Sequence, residues 1–250
     1  MPFPHQPRFE RGNFVAAPSN REALAWLGMP AAGWPERRLA LWGEAGIGKT
    51  HLLHVWAAEH GAVLLPGTAL RRPEDGVAFE GATAVAVDDA DEAPDEHALL
   101  HLLNRARLGR TALLLSGRAP PSRWAARLPD LASRLRAVSA VRLHPPEDAL
   151  LRTLLARLLA ERQLPVPPRA LGWMLHRLPR TTDAVRDAAR RLDELALAGG
   201  TGVTRRVLLE ALEAVTLAGG GEKDLPPDLP EMPEEGAQVV QPPLPALLRN

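Results

Sequence analysis

The segment Gly43-Glu44-Ala45-Gly46-Ile47-Gly48-Lys49-Thr50 constrains this chain more than any other, because it fits G-x-x-x-x-G-K-T and is flanked by the elements that pattern requires. Before it, Arg38 to Trp42 is a short apolar run; after it, Leu52, Leu53, Val55 and Trp56 fall at helical spacing over Lys49 to Glu59. Strand, glycine-rich loop and helix predict a phosphate-binding turn of the Walker A kind. The glycines let successive N–H groups face an anion, and the helix adds the positive end of its dipole. Lys49 is predicted to extend along the phosphates as a flexible point charge, a task to which planar guanidinium is poorly suited. Thr50 is predicted to set its hydroxyl on Mg2+. The plainer reading is a glycine-rich turn with an incidental lysine. Composition argues against it, since only two of the thirty basic residues are lysines, Lys49 and Lys223.

Around this loop the apolar runs recur at Ala62 to Leu65, Ala82 to Val87, Thr111 to Ser116 and Ala140 to Leu143, separated by helical segments such as Glu96 to Arg107. Strands that alternate with helices predict an α/β fold: a five-stranded, mostly parallel sheet covered on both faces. The nucleotide-binding α/β domain is expected over 13–145, preceded by an extended arm at 1–12. Its first helix is expected over Asn13 to Leu27, capped by Ser19 or Asn20. Past Pro145 and Pro146 the strand signal ends. Helices are expected at Glu147 to Arg162, Pro168 to Leu178, Asp183 to Ala198 and Arg205 to Leu217, with Thr204 as an N-cap, so 146–217 reads as a small all-helical domain. Three successive glycines at 219–221 and seven prolines between Pro226 and Pro245 then mark a tail, 218–250, expected to be disordered.

Bulk composition narrows the setting. The 250 residues carry thirty acids against thirty bases, so the overall positive charge of a dedicated DNA binder is missing. Cysteine is absent, which removes disulfides, thiolate zinc sites and a thiol nucleophile together. With no signal-peptide h-region and no run long enough to span a bilayer, a cytoplasmic protein without membrane contact is expected.

A second element supports the loop. Ala84-Val85-Ala86-Val87-Asp88-Asp89 is an apolar strand ending in two acids, the Walker B arrangement, and acids at the carboxyl ends of parallel strands lie where ligands bind. Asp88 is predicted to support Mg2+ through its water shell, and Asp89 to orient or polarise an attacking water. Read without the loop, Asp88, Asp89, Asp91 and Glu92 would be a solvated acidic turn. The pairs His51/His54 and His97/His101 have helical spacing but no third ligand, and the six scattered tryptophans read as packing residues. Ser116 ends a strand without a G-x-S-x-G elbow.

With both motifs placed, the chain from about Phe9 to Leu217 resembles the DnaA-related AAA+ proteins, and within them the Hda-type regulatory inactivators. The stretches Leu113-Leu114-Leu115-Ser116-Gly117-Arg118-Ala119-Pro120-Pro121 and Leu128-Pro129-Asp130-Leu131-Ala132-Ser133-Arg134-Leu135 carry the likeness, being similar to the segment from sensor 1 to the arginine finger. The resemblance implies an AAA+ core with a helical lid, binding ADP or ATP with Mg2+. Arg134 matches the finger, a guanidinium offered in trans to a neighbour's γ-phosphate; by pattern alone it is a helix-end arginine in a local salt bridge. Asp183 to Leu195 is similar to the sensor 2 helix, which points to Arg186 as the lid residue on the nucleotide, and Phe14-Val15 with Ser19-Asn20 resembles the segment bordering the adenine.

What the resemblance implies for function is a regulator that contacts the initiator DnaA and promotes hydrolysis of its ATP, with the sliding clamp as a further partner and self-association open. Two departures are visible. Arg118 stands where the family often has Asp at the end of the sensor 1 strand, and Met1-Pro2-Phe3-Pro4 lacks the clamp-docking Gln-Leu peptide, to which Gln241-Pro242-Pro243-Leu244 is only a faint match. The alternatives are a non-hydrolytic, nucleotide-stabilised adaptor for replication proteins, or a self-sufficient ATPase such as a helicase loader. No helix-turn-helix pattern follows Leu217, so sequence-specific DNA binding is not expected.

Overall fold

The computed structural model describes residues 15–71, 79, 81–200 and 202–218. The predicted arm, Phe14 and nearly all of the predicted tail lie outside these residues. The described chain packs as two units. The first runs to Leu150 and includes Thr181–Asp183; the second holds Leu151–Arg180 and continues from Ala184.

The first unit is an α/β layer structure. Its strands are β1 (Arg38–Trp42), β2 (Val63–Pro66), β3 (Ala84–Asp88), β4 (Ala112–Gly117) and β5 (Ser139–Arg142). They lie in the order β2-β3-β4-β1-β5, with every pairing parallel. Side chains alternate across each strand, so both faces are apolar. Leu39 and Leu41 of β1, with Leu114 of β4, pack under Leu53 and Trp56 of α2 (Lys49–His60) and Ala23 of α1 (Arg21–Leu27). On the opposite face Ala40, Val85 and Leu113 meet Leu102 and Leu103 of α3 (Glu96–Arg107) and Leu131 of α4 (Pro129–Arg136). This is the predicted five-stranded sheet with helices on both sides.

One local expectation is corrected. The first helix starts at Arg21, because Ala17 precedes Pro18, and the residue before a proline is biased away from helical backbone. Asn20 stands at its N-cap, yet its side chain turns back, accepting from the Ala17 N–H and donating to the Val15 carbonyl, both at 2.9 Å. Helix α4 carries Arg134 in its last turn; its eight residues hold one apolar repeat, Leu131 and Leu135, too little to register as periodic.

Strand β1 begins with a fully buried arginine. Arg38 pairs with Glu36, whose backbone takes the left-handed conformation at φ 49°. Burial first, then the charges of Arg134 and Arg107, pull the Arg38 guanidinium below its ordinary pKa.

The second unit is helical: α5 (Asp148–Glu161), α6 (Pro168–Arg177), α7 (Thr182–Gly199) and α8 (Arg205–Ala218). Leu155, Met174, Val185, Leu192 and Leu208 are buried among these helices. Thr204 accepts the Val207 N–H at 3.4 Å, as its predicted capping position requires. Among the described residues no helix is long and apolar enough to cross a membrane.

Candidate functional site

The loop Gly43 to Thr50 leaves β1 at its carboxyl end and opens α2. Gly46 and Gly48 take φ of 73° and 102°, a region that penalises a Cβ, so the glycines are required by the turn itself. The crest is anchored from the start of α7. Thr182 donates to the Gly46 carbonyl through its N–H and its hydroxyl, both at 2.8 Å. Nothing in the sequence pattern marks Thr182, because the contact spans 136 residues.

Lys49 turns its ammonium into the loop, donating to the carbonyls of Gly43 at 2.8 Å and Glu44 at 2.7 Å. The side chain is only 6% exposed. Burial pulls its pKa below the ordinary lysine value, while the negative charges of Asp89, Asp88 and Asp91 oppose that shift. A buried ammonium held by carbonyls and faced by acids is a cation poised to take up anionic oxygens.

Beside it, the ends of β3 and β4 join in one hydrogen-bonded cluster. Asp88 Oδ2 accepts from the Thr50 hydroxyl at 2.8 Å, and Asp88 Oδ1 accepts from the Ser116 hydroxyl at 2.5 Å. The Ser116 oxygen also accepts the Asp89 N–H at 2.8 Å. Fully buried, Ser116 therefore fixes both acids, a role that reading the sequence missed. Its only signal was its place at the end of a strand next to β3 in the sheet. Asp89 has left-handed backbone at φ 48°, and burial, then the Asp88 charge, raise its pKa above the ordinary aspartate value. Sequence-distant Gly43, Lys49, Thr50, Asp88, Asp89 and Ser116 are thus brought together by the strand order.

No protein-family model matches the chain. Comparison with solved structures finds domain III of the replication initiation protein DnaA from Thermotoga maritima, with a TM-score of 0.69 and 18% identity over 85% of this chain and 99% of that one. A replication initiator DnaA bound to AMPPCP and single-stranded DNA superposes with a TM-score of 0.58 and 15% identity, over 84% of this chain and 81% of that one. The Holliday junction branch migration motor RuvB of Thermotoga maritima gives 0.55 and 17%, over 71% of this chain and 61% of that one. The fold is shared with DnaA domain III. At these identities the likeness is one of architecture.

The remaining predicted residues lie on other elements of the chain. Arg134 lies in the last turn of α4, its side chain partly exposed, with Nε 3.7 Å from Asp130 in an i,i+4 pair. The loop leading into α4 is pinned by Glu96, whose carboxylate accepts the N–H groups of Arg127, at 2.8 and 3.1 Å, and Leu128, at 2.9 Å. These backbone hydrogen bonds hold the Glu96 pKa below the ordinary carboxylate range. Arg186 sits on α7 in the second unit. On the same helix Arg190 pairs with Asp187 and Glu194, and Arg191 with Asp187, so these neighbours are engaged along the helix surface. Val15 is half-buried and its carbonyl is bonded by Asn20; Phe14 lies outside the described residues. Nearby, Ser19 donates its N–H and hydroxyl to Glu147 at 2.7 and 2.8 Å. Among the described residues no group of three or more His, Cys, Asp or Glu is arranged to hold a metal by itself. Trp34 stacks on Trp56 at 5.5 Å and Trp124 donates to the Ala119 carbonyl, so these rings act as packing residues.

Proposed function

We propose that this chain binds an adenine nucleotide, ADP or ATP, on Gly43–Thr50 and acts as an Hda-like regulator of replication initiation, presenting Arg134 to the ATP held by a DnaA partner. The observation that carries the reading is the Lys49 ammonium, drawn onto the carbonyls of its own loop beside the Thr50–Asp88–Ser116 cluster. Phosphate oxygens would replace those carbonyls as its acceptors, while the loop amides and the start of α2 meet the β-phosphate. The AMPPCP held by DnaA of the same fold supports adenine as the base. The resemblance of Val15 and Phe14 to the adenine border, and of Arg186 to the lid arginine, assigns these residues to the nucleotide as well.

Thr50 and Asp88 fit Mg2+: a hydroxyl and a carboxylate 2.8 Å apart form a small oxygen-donor pair, and Mg2+ keeps several waters and phosphate oxygens instead of filling an all-protein cage. When bound, the ion neutralises phosphate charge. Asp89, held by Ser116 and with its proton affinity raised, is suited to orient a water. For Arg134, a partly exposed pair 3.7 Å from Asp130 is a weak tie, so little is lost when the guanidinium turns to a partner's γ-phosphate and stabilises transition-state charge there.

Arg118 favours a second reading, a non-hydrolytic, nucleotide-stabilised adaptor, since a base stands at the end of β4 where the resembling family often has an acid. Phosphate release from ATP-loaded DnaA, with a DNA-loaded sliding clamp present, separates the readings. Stimulation by the chain that disappears in Arg134→Ala supports the regulator. Unchanged release with retained DnaA binding supports the adaptor, and rapid turnover by the chain alone, lost in Asp89→Asn, points to a self-sufficient ATPase.

A further inference from the structure

The crest of the phosphate loop is gripped at one atom. The Gly46 carbonyl oxygen accepts the Thr182 N–H and the Thr182 hydroxyl, both at 2.8 Å, and the Asp183 N–H adds a longer bond at 3.3 Å. A carbonyl oxygen has two lone pairs, so the two short bonds from Thr182 occupy it. The backbones approach closely here. A Cβ on Gly46 would fall 2.9 Å from Thr181 Cβ, and one on Gly48 would stand 3.6 Å from the Thr182 hydroxyl oxygen. Thr182 is 7% exposed, and Thr181–Asp183 pack in the same unit as the loop.

What this grip fixes is a peptide plane. The Gly46–Ile47 peptide is trans, so its N–H points opposite to its C=O. With the oxygen held toward Thr182, the Ile47 N–H faces the other way, and it finds no acceptor among the described residues. A peptide unit that follows glycine turns over readily, because glycine has no Cβ to restrict its torsions. Turned over, the unit would offer an anion a carbonyl oxygen in place of the N–H, and the dipole would repel it.

We propose that Thr182 is a positioning residue for the bound phosphate, its N–H and hydroxyl holding the Gly46–Ile47 peptide so that the Ile47 N–H is turned to the phosphate of a nucleotide on Gly43–Thr50. This rests on the nucleotide reading of that loop. Thr182 touches the loop and not the ligand, so its effect belongs to the phosphates and is indifferent to the base. The hydroxyl supplies one of the two short bonds. Removing it loosens the peptide without leaving the buried carbonyl unpaired.

The test pairs titration calorimetry of the full chain with NMR of the Ile47 amide, using Mg2+ with ADP or with inorganic pyrophosphate as the ligand. Thr182→Val keeps the branched shape and the backbone N–H but loses the hydroxyl. It is expected to weaken both ligands by about threefold to tenfold, the worth of one neutral hydrogen bond. Thr182→Ser restores the hydroxyl and should bind both within about twofold of wild type. The Ile47 amide proton should move downfield when pyrophosphate is added to wild type, and should move less in Thr182→Val. Should valine crowd its buried site, Thr182→Ala makes the same deletion without added bulk. Unchanged affinity without the hydroxyl, serine as weak as valine, loss for ADP alone, or an Ile47 amide indifferent to pyrophosphate each overturns the inference while leaving the loop assignment standing. Wild type that binds neither ligand overturns the loop assignment and this inference with it.

Discussion

Lys49 has two sets of partners available, the carbonyls of Gly43 and Glu44 and the oxygens of a phosphate, and the account requires that it exchange one for the other. Hydrogen bonds to a charged group contribute about 1.5–3 kcal/mol each. Lys49→Ala is accordingly expected to weaken adenine nucleotide binding at least about tenfold by titration calorimetry. Arg134 is a different case, because its ion pair with Asp130 is partly exposed and spans 3.7 Å. Such a pair contributes about 0–1 kcal/mol, so Arg134→Ala should leave chemical denaturation almost unchanged while abolishing stimulation of partner hydrolysis. A loss of stability comparable to that of a core mutation would assign Arg134 to the fold instead.

Among elements, α4 owes its placement to a carboxylate on its neighbour. Glu96, at the start of α3, accepts from the amides of Arg127 and Leu128, and those hydrogen bonds depress its pKa. A carboxyl whose folded-state pKa is depressed contributes stability that is present above its unfolded value, about 4.3, and is lost as pH falls through the folded value. Hydrogen-exchange protection at the Arg127 and Leu128 amides should therefore drop in acid, and Glu96→Gln should lower it already at neutral pH. Gly67, just after β2, makes another such contact: a Cβ there would lie 2.2 Å from the Asp89 carbonyl oxygen. Gly67→Ala is expected to cost about 1–3 kcal/mol in denaturant unfolding and to disturb Asp89. The sequence reveals elements of this kind unevenly. The strands and α2 announce themselves by apolar runs beside a glycine-rich loop, and α5 to α8 by helical periodicity. Helix α4 is too short to show a period, and Ser116, Gly67 and Thr182 act through contacts far apart in sequence, which no local pattern encodes.

For the whole molecule, the α/β layer and its parallel order were legible because alternation of strand and helix leaves few other topologies. Residues 181–183 pack with the first unit although they open a helix whose later turns belong to the second. With two units present, unfolding need not be a single transition. Nucleotide should stabilise the unit that holds the loop by mass action, about 2.7 kcal/mol at a ligand concentration one hundred times Kd. Calorimetric scans with and without Mg2+ and ADP should show one transition rising in temperature for wild type and a clearly smaller rise for Lys49→Ala. The central claim is most directly tested by a crystal structure of the chain grown with ADP and Mg2+. The account predicts the β-phosphate within about 3 Å of the Gly46 to Lys49 amides, with the Lys49 ammonium moved from the Gly43 and Glu44 carbonyls onto phosphate oxygen. A nucleotide bound elsewhere, with Lys49 still on those two carbonyls, would contradict it.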